Sequence, residues 1–170
     1  MPAIEKDDYE LLVKQAQALV EGEEDWIANT ANLAALLFNN LHNVNFAGFY
    51  RMKNGELVLA PFQGQPACVH ISLGSGVCGT AAQNEKTEIV PDVHQFAGHI
   101  ACDSRSNSEI VVPIFKNNSL WGVLDIDSVK LENFDEIDQK PISNTYDDAK
   151  KILSLPAYFL YAAACCLLQS

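Results

Sequence analysis

The dipeptide Asn54-Gly55 sets the tightest limit on what this chain can become. Asn and Gly tolerate the left-handed backbone angles of a two-residue turn, and turns of that kind carry the twist that joins two antiparallel strands. Residues 46–52 and 56–62, on either side, are rich in aromatic and branched side chains, so the pattern predicts a hairpin. An isolated hairpin is barely stable in water and needs further strands and a cover for its apolar face. The flanking sequence offers both. Upstream, Leu11, Leu12, Ala16, Leu19 and Val20 recur at helical spacing over 7–20, with Asp7 and Asp8 at the end a helix dipole favours and Gly22 as a stop. A second helix is expected over 25–42, carrying Ile27, Ala31, Ala34, Leu37, Phe38 and Leu41. Downstream, short strands are expected over 68–73 and 87–90, with a short helix over 79–84 between them. A second hairpin follows, 109–115 with 120–127, around Lys116-Asn117-Asn118-Ser119. This order predicts an α+β fold: a mostly antiparallel sheet of five or six strands flanked by N- and C-terminal helices, in a single domain over 1–170.

Composition narrows the partners. The 170 residues are 48% hydrophobic, enough for a core without covalent staples. Acidic residues outnumber basic ones by 22 to 11, and at a formal charge of −11 no basic stripe can be assembled for a nucleic acid or an anionic membrane. Five cysteines are too few and too unevenly placed for a disulfide scaffold, and Glu5, Asp7, Asp8 and Glu10 stand where a secretory leader needs an apolar run. A reducing, cytoplasmic setting is the expectation. The apolar run 152–168 is marginal in length for a membrane span and is interrupted by Pro156. It is expected to form an apolar helix over 145–168 that packs on the sheet or on a second copy of the chain, a possible homodimer, with Cys165 and Cys166 as small buried residues.

Cys68, Cys78 and Cys102 call for a different account. Cys102 lies in the long irregular segment 91–108, near His94, His99 and Arg105, and positive charge favours the reactive thiolate. Cys78 follows Gly74-Ser75-Gly76 at a helix start, where free N–H groups are expected to lower its pKa. Cys68 follows the turn Gln63-Gly64-Gln65-Pro66. Each thiol alone could be a small buried residue; three at loop or helix-start positions point to chemistry. The strand 120–127 adds two acids: a period of two places Trp121, Val123, Asp125 and Asp127 on one face. Side by side in a concavity, two carboxylates repel, so one holds a proton while a charged one can pair with an ammonium; the alternative is a solvated strand face. Glu109 joins them only if the hairpin loop is odd, a bulge intervenes, or Glu109 precedes its strand, because an even loop pairs Ile110 with Asp125. Cys68, His70, Cys78, His94, His99 and Cys102 match no short paired metal-ligand spacing, so no metal is expected. Gly74-Ser75-Gly76 lacks the Lys-Ser/Thr of a phosphate loop.

Taken in order, Gly48-Phe49-Tyr50, Leu59-Ala60-Pro61-Phe62-Gln63-Gly64 with Ala67-Cys68, Gly74-x-Gly76-Val77-Cys78-Gly79, His99-Ile100-Ala101-Cys102, Ser108 to Pro113 and Gly122-Val123-Leu124-Asp125-x-Asp127-Ser128 resemble the motifs of the free methionine-(R)-sulfoxide reductases built on a GAF domain. The likeness spans 26–138. It implies a GAF-like fold, Cys102 as catalytic cysteine, and Cys68 and Cys78 as further redox cysteines, Cys68 the usual resolving partner and Cys78 an intermediate or alternate. It also implies that Glu109, Asp125 and Asp127 hold the substrate's amino group and assist at the sulfoxide. A Cys102 sulfenic acid would condense with a second thiol to a disulfide, reopened by an external dithiol such as thioredoxin, with no metal or organic cofactor. Tyr50 and Trp121 are candidates for the pocket wall around the S-methyl group, or for core packing. Two departures stand out: Phe46 replaces a common Trp, and the tail from Lys140 is unlike the family's charged terminal helix. A GAF-type sensor of a small ligand, expected with a fused output domain, or a thiol redox switch without turnover, is the alternative.

Overall fold

The computed structural model describes residues 6–100 and 102–134. Helix α1 spans Lys6–Val20 and α2 spans Trp26–Asn40. Asp25 caps α2, its carboxylate accepting from the N–H groups of Ile27 (2.8 Å) and Ala28 (3.1 Å) and so satisfying donors that a helix start leaves open. Strands β1 (Val44–Lys53) and β2 (Glu56–Gly64) form the expected hairpin, with Asn54 and Gly55 at φ 54° and 86°. Then come β3 (His70–Ser72), α3 (Gly76–Asn84), β4 (Glu88–Val90), a 3-10 turn at Val93–Gln95, β5 (Ser108–Lys116) and β6 (Ser119–Ser128). One six-stranded sheet, in the order β3-β2-β1-β6-β5-β4, is antiparallel at every pairing.

The two faces of the sheet serve two cores, because side chains alternate along each strand. Phe49, Ile110, Val112, Leu124 and Ile126 face α1 and α2, meeting Leu12, Ala16, Leu33 and Leu37. Tyr50, Val111 and Val123 face the other way, onto Val77, Ala81 and Ala82 of α3.

One irregularity decides which residues reach that second face. The β5–β6 turn, Asn117-Asn118 at φ 53° and 60°, is even, and Lys116 pairs with Ser119. Unbroken, this register would set Ile110 against Asp125 and send Glu109 to the helical side. Between Ile114 and Phe115 the register shifts by one, with Trp121 as the extra residue of β6, so that Val111 meets Asp125 and Glu109 meets Asp127. Gly122 follows at once, where a Cβ would run into the carbonyl oxygen of Tyr50 on β1.

The segment after β4 is pinned rather than loose: Val93 N–H donates to the Asn107 carbonyl (3.0 Å) and Asn107 N–H to that of Ser128 (2.7 Å). Among the described residues no helix is long and apolar enough to cross a membrane. The expected helix over 145–168, with Cys165 and Cys166, lies outside the described residues.

Candidate active site

A pocket opens between the α3 side of the sheet and the segment carrying His99–Ser106. Its floor comes from neighbouring strands: Phe46 and Tyr50 from β1, Asp125 and Asp127 from β6, and Glu109 from β5. Cys78, in the first turn of α3, closes one side. The mouth carries a disulfide, Cys68 to Cys102, with Cα atoms 5.9 Å apart; Cys68 is half-buried and Cys102 exposed. The loop that bears Cys102 is held from beneath by Asn45, whose amide donates to Asp103 Oδ2 (3.1 Å) and Ser106 Oγ (2.9 Å).

Three carboxyl groups in this small space cannot all be ionised. Glu109 is pushed well above the ordinary range by burial first, then by the charges of Asp125 and Asp127, and it donates to Asp125. Asp127 is raised by burial and by Asp125, against a hydrogen bond with Ser106. Burial lifts Asp125 to about 6, and hydrogen bonds with the Cys78 thiol and Glu109 hold it below its neighbours. The nearest thing to a resident negative charge is therefore on Asp125. Its Oδ1 is buried with no hydrogen-bond partner, an open acceptor on a residue that lines the pocket. Ligating atoms of Cys78, Glu109 and Asp125 lie within 4.8 Å of one another, a donor and acceptor set suited to a small cation such as an alkylammonium. Of the sulfur and histidine residues weighed as metal ligands, Cys78 alone belongs to that cluster among the described residues.

The geometry brings together Cys68, Cys78, Cys102, Glu109, Asp125, Asp127 and Tyr50, and it corrects three expectations. Trp121 is not in the pocket: the bulge turns it to the opposite face, where it meets Trp26 edge-on at 5.7 Å between ring centroids and packs against the helical core. The Cys78 thiol is raised, not lowered. The start of α3 is buried against the acids, and desolvation with the charges of Asp125 and Glu109 outweighs the helix dipole. The cations near Cys102 in sequence are engaged elsewhere: Arg105 Nη2 binds Asp103 Oδ2 at 2.7 Å, His94 bonds Asn107 at 3.0 Å, and burial, then His94, holds His99 toward its neutral form. Tyr50 keeps its proton, its hydroxyl driven up by burial and by Asp125.

Phe46 is the wall residue that was missed. It stacks on Phe62 at 5.5 Å between ring centroids and lines the pocket beside Tyr50. The period of two from Tyr50 through Gly48 was the available signal.

The GAF domain family model matches residues 17–152. Protein YtsP of Bacillus subtilis is 54% identical over 86% of this chain and 91% of its own length. The free methionine-R-sulfoxide reductase of Escherichia coli is 43% identical over 92% of this chain and 94% of its own. Among solved structures, that of the Staphylococcus aureus reductase fRMsr in complex with substrate superposes with a TM-score of 0.74 at 46% identity, covering 93% of this chain and 95% of that one.

Proposed function

The chain belongs to the GAF-domain family of free methionine-(R)-sulfoxide reductases, and from that premise we propose that it reduces free L-methionine (R)-S-oxide to L-methionine through the Cys102 thiol. The observation that carries this is the Cys68–Cys102 disulfide standing at the mouth of a pocket floored by the buried acids Glu109 and Asp125 and the half-buried Asp127.

The acids bind and protonate. The substrate's α-ammonium pairs with the Glu109, Asp125 and Asp127 cluster, with the unpartnered Asp125 Oδ1 as its natural acceptor. A methionine sulfoxide within a peptide offers an amide in place of the ammonium, leaving buried carboxylates unpaired, so the free amino acid is selected. Phe46 and Tyr50 supply the apolar wall for the S-methyl group.

The thiols carry the electrons. The Cys102 thiolate attacks the sulfoxide sulfur while a protonated acid of the cluster, Glu109 or Asp127, donates to the oxygen. Oxygen passes to sulfur, methionine leaves, and Cys102 is a sulfenic acid. The Cys68 thiol then attacks that sulfur, expelling water and forming the disulfide seen here. An external dithiol of the thioredoxin class restores both thiols, and no metal or organic cofactor enters. Cys78, buried and bonded to Asp125, serves the acid cluster as a neutral donor.

The test is turnover with dithiothreitol on separated isomers of free methionine sulfoxide. Methionine is expected from the R isomer and not from the S isomer, and Cys102→Ser abolishes it. An inactive protein would leave the sensor reading standing instead, and an undiminished rate in Cys102→Ser would remove Cys102 from the chemistry.

A further inference from the structure

The surface around the disulfide differs from the rest of this acidic molecule. No Asp, Glu, Lys or Arg occurs from Leu57 to Asn84, or again from Val93 to Cys102, in a chain of net charge −11. These two stretches bring Cys68 and Cys102 together. They also hold three exposed large apolar side chains: Val69 at 55%, Leu73 at 39% and Ile100 at 41% exposure. Val69 directly follows Cys68. Ile100 is tied to the other sulfur's residue, the Cys102 N–H donating to its carbonyl at 3.0 Å, and its side chain lies over Gly76, 3.3 Å from where a Cβ would stand. Leu73 precedes that same helix start. Of the charged residues bordering these stretches, Asp103 pairs with Arg105 at 2.7 Å and Glu56 bonds His70 at 2.9 Å, while Glu109 and Asp125 are buried in the pocket floor. Exposed apolar groups on stretches without Asp, Glu, Lys or Arg, beside a bond that another molecule must reach, are the makings of a protein contact.

We propose that this charge-free rim, with Val69, Leu73 and Ile100 as its exposed side chains, is the docking surface for the dithiol protein that returns the chain to its reduced form. It rests on the reductase reading, which makes the disulfide a turnover intermediate. The partner it fits has a reactive thiol ringed by apolar groups, and the neutral zone lets such a protein approach without repulsion from the acidic remainder. Once docked, the partner's thiolate bonds to one sulfur of the Cys68–Cys102 pair and breaks the bond between them; the electron pair goes to the other sulfur, which takes a proton. The partner's second thiol, losing its proton, attacks the mixed disulfide and leaves as part of the partner's own disulfide. Two electrons and two protons have then passed to the chain.

The experiment measures reduction of the Cys68–Cys102 disulfide in the full chain, without any sulfoxide, by reduced thioredoxin and separately by dithiothreitol, trapping thiols by alkylation. Val69→Glu and Leu73→Glu, both exposed and outside the pocket, are expected to slow reduction by limiting thioredoxin by about tenfold each. Reduction by dithiothreitol stays within about twofold, and Val69→Leu changes neither rate. An unchanged thioredoxin rate in the Val69→Glu/Leu73→Glu double variant, or an equal loss with both reductants, overturns the proposal. A chain that makes no methionine from the R isomer yet shows this selective loss would sink the reductase reading and leave the docking surface intact.

Discussion

Cys78 and Asp125 show how burial reassigns a reactive group. A thiol in the first turn of a helix is ordinarily acidified, but this one is 5% exposed beside two carboxyl groups, and its neutral form is the one the site favours. Its contribution is a hydrogen bond to the acid left to hold charge. Cys78→Ala is therefore expected to raise KM for free methionine (R)-sulfoxide about tenfold with kcat little changed, and Cys78→Ser, which keeps a donor, to recover most of the loss. A collapse of kcat in both variants would instead make Cys78 an obligatory redox thiol. The pH profile follows from the same cluster. Asp125, lifted to about 6, loses its charge as pH falls through that value, so kcat/KM is expected to decline below about pH 6. At high pH it declines again, as the raised acids Glu109 and Asp127 lose the proton they donate. Steady-state profiles of Asp125→Asn should lack the acid limb.

With Trp121 in the strand, the bulge in β6 is the element on which the acid cluster depends. Deleting Trp121 heals the bulge without moving the register: Gly122 still meets Ile114, and Glu109 still meets Asp127 on the α3 side, because the extra residue itself offsets the even turn. Activity is therefore expected to persist in the deletion variant, with Tm lowered by loss of the Trp26 contact; lost activity with the sheet intact by circular dichroism would contradict this register. This element also marks where sequence reading ends. The Asn54-Gly55 hairpin, the two helices and both strands of the second hairpin are legible because turn chemistry and periodicity are local. The bulge is not, since Ser119 to Ser128 reads as unbroken alternation and the shift answers to the backbone of β1 packed against Gly122. Hence periodicity alone puts Trp121 on the wrong face and leaves the face of Glu109 open, its role coming from the family resemblance; both are consequences of one inserted residue. The start of α3 was similarly hidden. Gly76 at φ 62° lets the helix begin before Gly79, which draws Cys78 inward.

The molecule as a whole carries a strained charge distribution in its substrate-free state. Glu109, Asp125 and Asp127 have folded pKa values raised above those of the unfolded chain. Between those values the native state binds more protons than the unfolded one, so stability is highest in mild acid and falls as pH rises through the raised values. Thermal unfolding of the substrate-free protein is expected at a higher temperature near pH 5 than near pH 8. Asp125→Asn, which removes a buried charge, should raise Tm at pH 8 by about 2–4 °C while weakening substrate binding. A Tm that climbs from pH 5 to pH 8 contradicts this picture of the acid cluster. The same frame places the disulfide beside the acids: the β2–β3 connection and the segment after β4 bring Cys68 and Cys102 over a floor built by β1, β5 and β6. On the proposed mechanism that juxtaposition is what makes the molecule a reductase, and a single turnover reads it directly. Fully reduced protein is mixed with free methionine (R)-sulfoxide without reductant, and the products are resolved by amino-acid analysis and peptide mass mapping. The predicted result is one methionine per chain with a Cys68–Cys102 disulfide, and in Cys68→Ser one methionine with a sulfenic acid trapped on Cys102. No methionine, or a disulfide that joins Cys78 in place of Cys68, would contradict the account.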